Sequence, residues 1–209
     1  MKNNSKKIII FVSLARSLIL FRGPLIKKLM GMNHKVITCA PLDKKVKKKL
    51  NEIGCQFIPI PMNRRGFNVF EDIKYFFNFH KIIKKVNPDI ILSYTIKPVL
   101  YSSIAGYLNG VKNIFSTITG VGYIFYDGGI IRKLFSKFLS LILKIAFNTN
   151  KCIFFQNRDD RDLFFKKNII SKKNRIKILN GSGVDLDFYH HQKPTINPMK
   201  FLIIGRLLI

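Results

Sequence analysis

The chain has 209 residues, 47% of them hydrophobic, and its 37 Lys+Arg against 11 Asp+Glu give a net charge of +26. The apolar share is enough for a real core, the length fits one large domain or one domain plus the start of another, and the charge predicts attraction to phosphate as nucleic acid, anionic lipid or a phosphorylated small molecule. Cys39, Cys55 and Cys152 are odd in number, lack CxxC spacing and sit in or beside apolar runs, which excludes a disulfide framework, argues against a metal site and reads as reduced core thiols of a cytoplasmic protein.

In chain order, strands alternate with helices. Residues 7–13 form a β-branched run suited to a strand buried on both faces, and Arg16 interrupts the apolar stretch before it reaches membrane length, so no signal peptide is evident. An irregular loop over 13–22 leads to a helix starting at Pro24, then a strand at 35–39, a Lys-rich surface helix at 43–53 and a third strand at 56–60. A long amphipathic helix at 70–86 is stopped by Asn87-Pro88-Asp89, and a short buried strand follows at 90–93. The loop Tyr94–Pro98 opens the next helix, with Pro98 in its first turn where a missing N–H costs nothing. Asn109-Gly110 ends that helix, 113–117 is a further strand, and Thr119-Gly120-Val121-Gly122-Tyr123 comes directly after it. If these two strands are parallel neighbours, both loops lie at their carboxyl ends, where open α/β sheets bind ligands.

Residues 130–147 read as a helix carrying Lys133, Lys137, Ser140 and Lys144 on one stripe and mostly Phe, Leu and Ile elsewhere, which suits either a core position or the headgroup boundary of an anionic bilayer. A strand at 151–156, a helix at 159–168 with acidic residues in its first turn, and a strand at 175–179 lead to the turn Asn180–Asp185. Six or seven short apolar strands separated by helices predict an α/β fold, a doubly wound Rossmann-like parallel sheet, over residues 1–189. Residues 190–198 read as a linker, and 199–209 as the truncated start of a second domain, with its first strand over 199–204.

Five segments carry a family resemblance, in order over nearly the whole chain: Phe21-Arg22-Gly23-Pro24-Leu25-Ile26, Thr95-Ile96-Lys97-Pro98, Thr117–Tyr123, Phe155–Asp160 and Asn180–Asp185. Together they resemble the N-terminal half of family 4 glycosyltransferases of the two-domain GT-B fold, and are most similar to bacterial enzymes that extend lipid-linked saccharides. The resemblance implies that this domain holds the acceptor, a saccharide on a polyprenyl diphosphate, while a C-terminal domain holds most of the nucleotide-sugar, which is a substrate; no cofactor and no metal are implied. Acceptor contacts would come from Arg16, Arg22, Thr95, Lys97, Thr119, Gly120, Gly122 and Tyr123, and donor contacts from Asn180, Gly181, Gly183 and Arg206. Arg16, Arg22 and Lys97 suit diphosphate, and a glycine loop lets backbone N–H groups approach oxygen.

No catalytic base stands out, since the two central loops offer Tyr94, Thr95 and Thr119, with Asp127 a few residues on, and none of the four histidines. The family's E-x7-E signature belongs to the C-terminal domain, so the isolated chain is expected to show no appreciable turnover. Plainer readings stay open: surface charge for Arg16, Arg22 and Lys97, a tight turn for Gly120 and Gly122, and a coding bias behind the Lys, Ile, Asn and Phe content. The expected location is peripheral, at the inner face of the cytoplasmic membrane, with 130–147 as the contact. A non-catalytic acceptor-binding fragment is the alternative. A specific nucleic-acid partner is not expected, because the basic residues are scattered and no RNP, KH or helix-turn-helix signature appears.

Overall fold

The computed structural model describes residues 5–63, 68–120, 129–187, 189–193, 198 and 200–203. Its described strands form one sheet, all pairs parallel, in the order β3-β2-β1-β4-β5-β6-β7. The strands are β1 Lys7–Phe11, β2 Lys35–Ala40, β3 Gln56–Pro59, β4 Ile90–Tyr94, β5 Asn113–Ile118, β6 Cys152–Phe155 and β7 Ile176–Ile178. The helices are α1 Arg16–Leu20, α2 Gly23–Gly31, α3 Lys44–Glu52, α4 Val69–Val86, α5 Ile96–Leu108, α6 Ile130–Asn148 and α7 Arg158–Lys166. The order runs outward from β1 to β3, returns through α4, and runs outward again from β4. The topological switch point therefore lies between β1 and β4, as in doubly wound nucleotide-binding folds.

The period-two geometry of β1 shows why the sheet is covered on both sides. Ile8, Ile10 and Val12 join one cluster with Leu18, Ile26, Val46 and Leu50 from α1, α2 and α3. Ile9 and Phe11 join the other with Phe79 and Ile83 of α4, Val99 and Ala105 of α5, Leu139 and Leu143 of α6 and Phe164 of α7. Asp43 accepts hydrogen bonds from the Lys45 and Val46 amides and Asn68 from those of Phe70 and Glu71, so both helices begin on capping side chains.

The central helix α5 is buried along most of its length, from Lys97 to Gly106. It sits close to the sheet because its inward residues are small: a Cβ on Gly106 would lie 2.5 Å from Ile91 Cδ1 and 3.1 Å from Ile114 Cδ1. Hydroxyl contacts line this seam. Ser93 meets Ser102, Asn150 donates to Ser103 Oγ at 2.9 Å, and Ser116 donates to Asn150 Oδ1 at 2.5 Å.

One expectation needs correction. The stretch 13–22, expected as irregular loop, holds α1, since Leu18 finds a buried place under the first face and draws a helical turn around it. Of the strand expected from Met199, Lys200–Ile203 are described, outside any strand and with Phe201, Leu202 and Ile203 exposed; Met199 and residues 204–209 lie outside the described residues.

Candidate functional site

All the parallel strands point their carboxyl ends to one edge, and the loops after β1 and β4 diverge there at the switch point. The residue after β4 is Thr95, whose backbone stands at φ 72° and ψ 160°. This region is essentially reserved for glycine, and a β-branched residue held there stores about 1–3 kcal/mol of strain. Its surroundings over-determine it. The Thr95 amide donates to Thr117 O on β5 at 3.1 Å, its carbonyl accepts from Val99 N at 3.0 Å, and its hydroxyl donates to Ser13 Oγ, past the end of β1, at 2.9 Å. The switch point is thus bridged by two hydroxyls, and α5 begins beside it with no side-chain cap, leaving first-turn amides to an incoming acceptor group.

Arg22, between α1 and α2, is only 6% exposed. Its guanidinium carbon lies 4.0 Å from the centroid of the Tyr94 ring, and Nη1 donates to Ser182 Oγ at 2.8 Å. Burial lowers its pKa, and Tyr94 opposes that shift; burial likewise raises the Tyr94 hydroxyl, with Arg22 opposing. Nε is buried and has no hydrogen-bond partner among the described residues. A buried cationic donor with nothing to donate to is costly, and an anion in the crevice would satisfy it.

Ser182 belongs to the turn after β7. It also accepts from Gln156 Nε2 at 3.2 Å, so the turn is tied to two points of the sheet edge. Gly181 and Gly183 flank it at φ 77° and 74°, left-handed values that side chains resist, which is what the alternation of glycines in Asn180–Val184 encodes. Pro24 and Ser182–Asp187 line a surface concavity of about 530 Å³ beside it.

The other predicted residues are placed as follows. Arg16 is largely exposed and 3.7 Å from Asp43. Lys97 is buried, 2.9 Å from Asp72 Oδ1 and 5.5 Å from the Tyr75 ring, so its charge is already matched. Asp72 in turn accepts from the Asn68 amide at 3.0 Å, while burial first, and then Asp72, raise the nearby Tyr101 hydroxyl. Thr119 and Gly120 follow β5 at the same edge; Gly122, Tyr123 and Arg206 lie outside the described residues. Sequence reasoning named Ser13 only as the start of the loop 13–22, which the resemblance would set along the cleft, and missed Asp72. Neither could be singled out, because Ser13 matters through a contact 82 positions away and Asp72 through one 25 away. Among the described residues no group of three His, Cys, Asp or Glu could hold a metal ion.

This geometry can be set beside known proteins. Residues 7–157 match the family model described as glycosyl transferase 4-like. A curated relative from Campylobacter jejuni, N,N'-diacetylbacillosaminyl-diphospho-undecaprenol alpha-1,3-N-acetylgalactosaminyltransferase, is 26% identical over 79% of this chain and 43% of its own. Among solved structures, a glycosyltransferase from Rickettsia africae matches with a TM-score of 0.61 at 22% identity, over 90% of this chain and 45% of its own. A UDP-GlcNAc 2-epimerase from Methanocaldococcus jannaschii matches with a TM-score of 0.51 at 16% identity, over 82% and 45%. The chain spans less than half the length of each of these proteins, and the shared fold serves more than one reaction. The structure is that of a GT-B N-terminal domain, and with the family model covering most of the sequence, the chain belongs to the glycosyltransferase 4-like family.

Proposed function

We propose that the chain forms the acceptor side of a glycosyltransferase that moves a sugar from a nucleotide-sugar to a saccharide carried on a polyprenyl diphosphate. The observation that carries this reading is Arg22, a buried guanidinium at the switch point with an unsatisfied Nε. A guanidinium fixed by stacking on Tyr94 suits a diphosphate oxygen, and the paired hydroxyls of Ser13 and Thr95 suit a saccharide hydroxyl. Arg22 rather than Lys97 supplies the charge, since Asp72 neutralises Lys97; Lys97 then acts as the strut that holds the start of α5. Arg16, Thr119, Gly120, Gly122 and Tyr123 complete the acceptor side in this reading, and Asn180, Gly181, Gly183 and Arg206 face the donor. The name of the Campylobacter relative, with its undecaprenol-linked substrate, supports this class of acceptor.

No helix among the described residues is long and apolar enough to cross a membrane. Contact with the inner face of the cytoplasmic membrane would fall to α6, whose Ile130, Leu134, Phe138, Leu141 and Ile145 are all exposed. At about 100° per residue they form one outward stripe, beside that of Lys133, Lys137 and Lys144 and opposite the core-facing Leu139 and Leu143.

The test is a titration of the 209-residue chain with a water-soluble short-chain prenyl diphosphate carrying an N-acetylhexosamine, followed by amide chemical shifts. Shifts concentrated at Ser13, Arg22, Tyr94 and Thr95 are expected. Shifts elsewhere would contradict the reading, and equal shifts with UDP alone would reassign the crevice to the donor.

A further inference from the structure

Away from the crevice, α6 and the end of α7 enclose a surface concavity of about 400 Å³ lined by Ser136, Lys137, Ser140, Leu141, Lys144, Lys166, Lys167 and Asn168. Four of these eight residues are lysines and none is acidic. α7 runs back from the carboxyl ends of the strands, so its last turn lies toward the opposite edge of the sheet and the concavity is distinct from the switch point.

We propose that this concavity is a binding site for the phosphate of an anionic phospholipid headgroup, a proposal that rests on the reading of α6 as a membrane contact. Two features of the structure favour a lipid over a free anion. Leu141 belongs both to the rim of the concavity and to the exposed apolar stripe of α6, so a phosphate seated among the lysines places its own acyl chains beside Phe138, Leu141 and Ile145. The lysine stripe of α6 also lies on the same helix as that apolar stripe, turned toward α7, so one orientation of the helix satisfies both.

Charge decides in the same direction. The C-terminus of α7 presents roughly half a unit of negative charge, which four lysines outweigh. Ser140 does not offset them, because its hydroxyl donates within the helix to Ser136 O at 2.7 Å. Each lysine near an anionic surface is worth about fivefold in membrane partitioning, and clustering four in one concavity makes that gain local instead of a property of net charge.

The experiment is co-sedimentation of the full chain with vesicles of phosphatidylcholine alone and of phosphatidylcholine mixed with phosphatidylglycerol. Three variants are compared, each checked for an unchanged thermal midpoint: K137Q/K144Q/K166Q/K167Q in the concavity, K44Q/K45Q/K47Q/K48Q on the exposed side of α3, and F138S/L141S in the stripe. The two quadruple variants remove the same charge. The concavity variant is expected to lose at least about tenfold of its binding to the anionic vesicles, the α3 variant less than about threefold, and the stripe variant to lose binding to both vesicle types. Equal losses from the two quadruple variants, with the stripe variant still defective, would overturn the headgroup site and leave the membrane reading standing. Absence of wild-type binding to either vesicle would overturn both. Displacement from vesicles by millimolar inorganic phosphate at unchanged ionic strength would overturn the choice of lipid and make the concavity a free-phosphate site.

Discussion

The residue that tells most about this chain is Thr95, because it is held where only glycine is comfortable. A strained residue at a switch point, fixed by three backbone or hydroxyl hydrogen bonds, is held there by its surroundings at a cost in stability. A sign test follows. Thr95→Gly and Thr95→Val both lose the hydroxyl bond to Ser13, but only glycine relieves the strain, so the glycine variant should be the more stable by about 1 kcal/mol. At an ordinary extended position the order would be reversed, and a thermal melt that found valine the more stable would remove the strain argument. No pattern in the sequence announces the strain itself; Thr95 was legible only as part of the Thr95-Ile96-Lys97-Pro98 segment, and its contact with Ser13 depends on two strands meeting 82 positions apart. Arg22 was legible as a cation and not as a buried one, since the aromatic face that buries it belongs to Tyr94 at the end of β4, distant in sequence.

At the scale of the element, α5 is the part on which the site depends. Lys97 is held at its first turn by Asp72 of α4, and both are largely buried. Lys97→Ala should destabilise the fold by about 3–5 kcal/mol, because it leaves the Asp72 carboxylate buried without its partner. The double variant Lys97→Met/Asp72→Leu should recover most of that loss in a urea titration; equal losses for single and double variants would show that the pair is not coupled. Further along, Gly106→Val should cost about 1–3 kcal/mol by overpacking, since its side chain would run into Ile91 and Ile114. Most elements were readable within a residue or two because their signals are local: the β-branched run of β1, the Asp43 cap of α3, the Asn87-Pro88 stop of α4. α1 was not readable, because five residues carry too little periodicity and its only buried anchor is Leu18. α6 was read as either a core helix or a headgroup-boundary helix; Leu139 and Leu143 lie in the core, and a separate apolar stripe is exposed.

For the whole molecule, the alternation of strands and helices was enough to predict a doubly wound parallel sheet, and the order β3-β2-β1-β4-β5-β6-β7 is such a sheet, with its switch point between β1 and β4. The reading of the cysteines belongs to this scale as well. Cys39, Cys55 and Cys152 are free and buried, and burial raises the pKa of each thiol. A thiol reagent at neutral pH should therefore titrate none of the three rapidly in the folded protein and all three in denaturant; fast reaction of any one would show that the core is looser than described. The central claim, however, is that this half of the fold receives a diphosphate-linked acceptor through Arg22. The most direct measurement is the dissociation constant of a short-chain prenyl diphosphate N-acetylhexosamine for the wild-type chain and for Arg22→Gln, with Lys48→Gln on the exposed side of α3 as the control. The account predicts a loss of about tenfold or more for Arg22→Gln and little change for Lys48→Gln. Equal affinity of the wild-type chain and Arg22→Gln would contradict it.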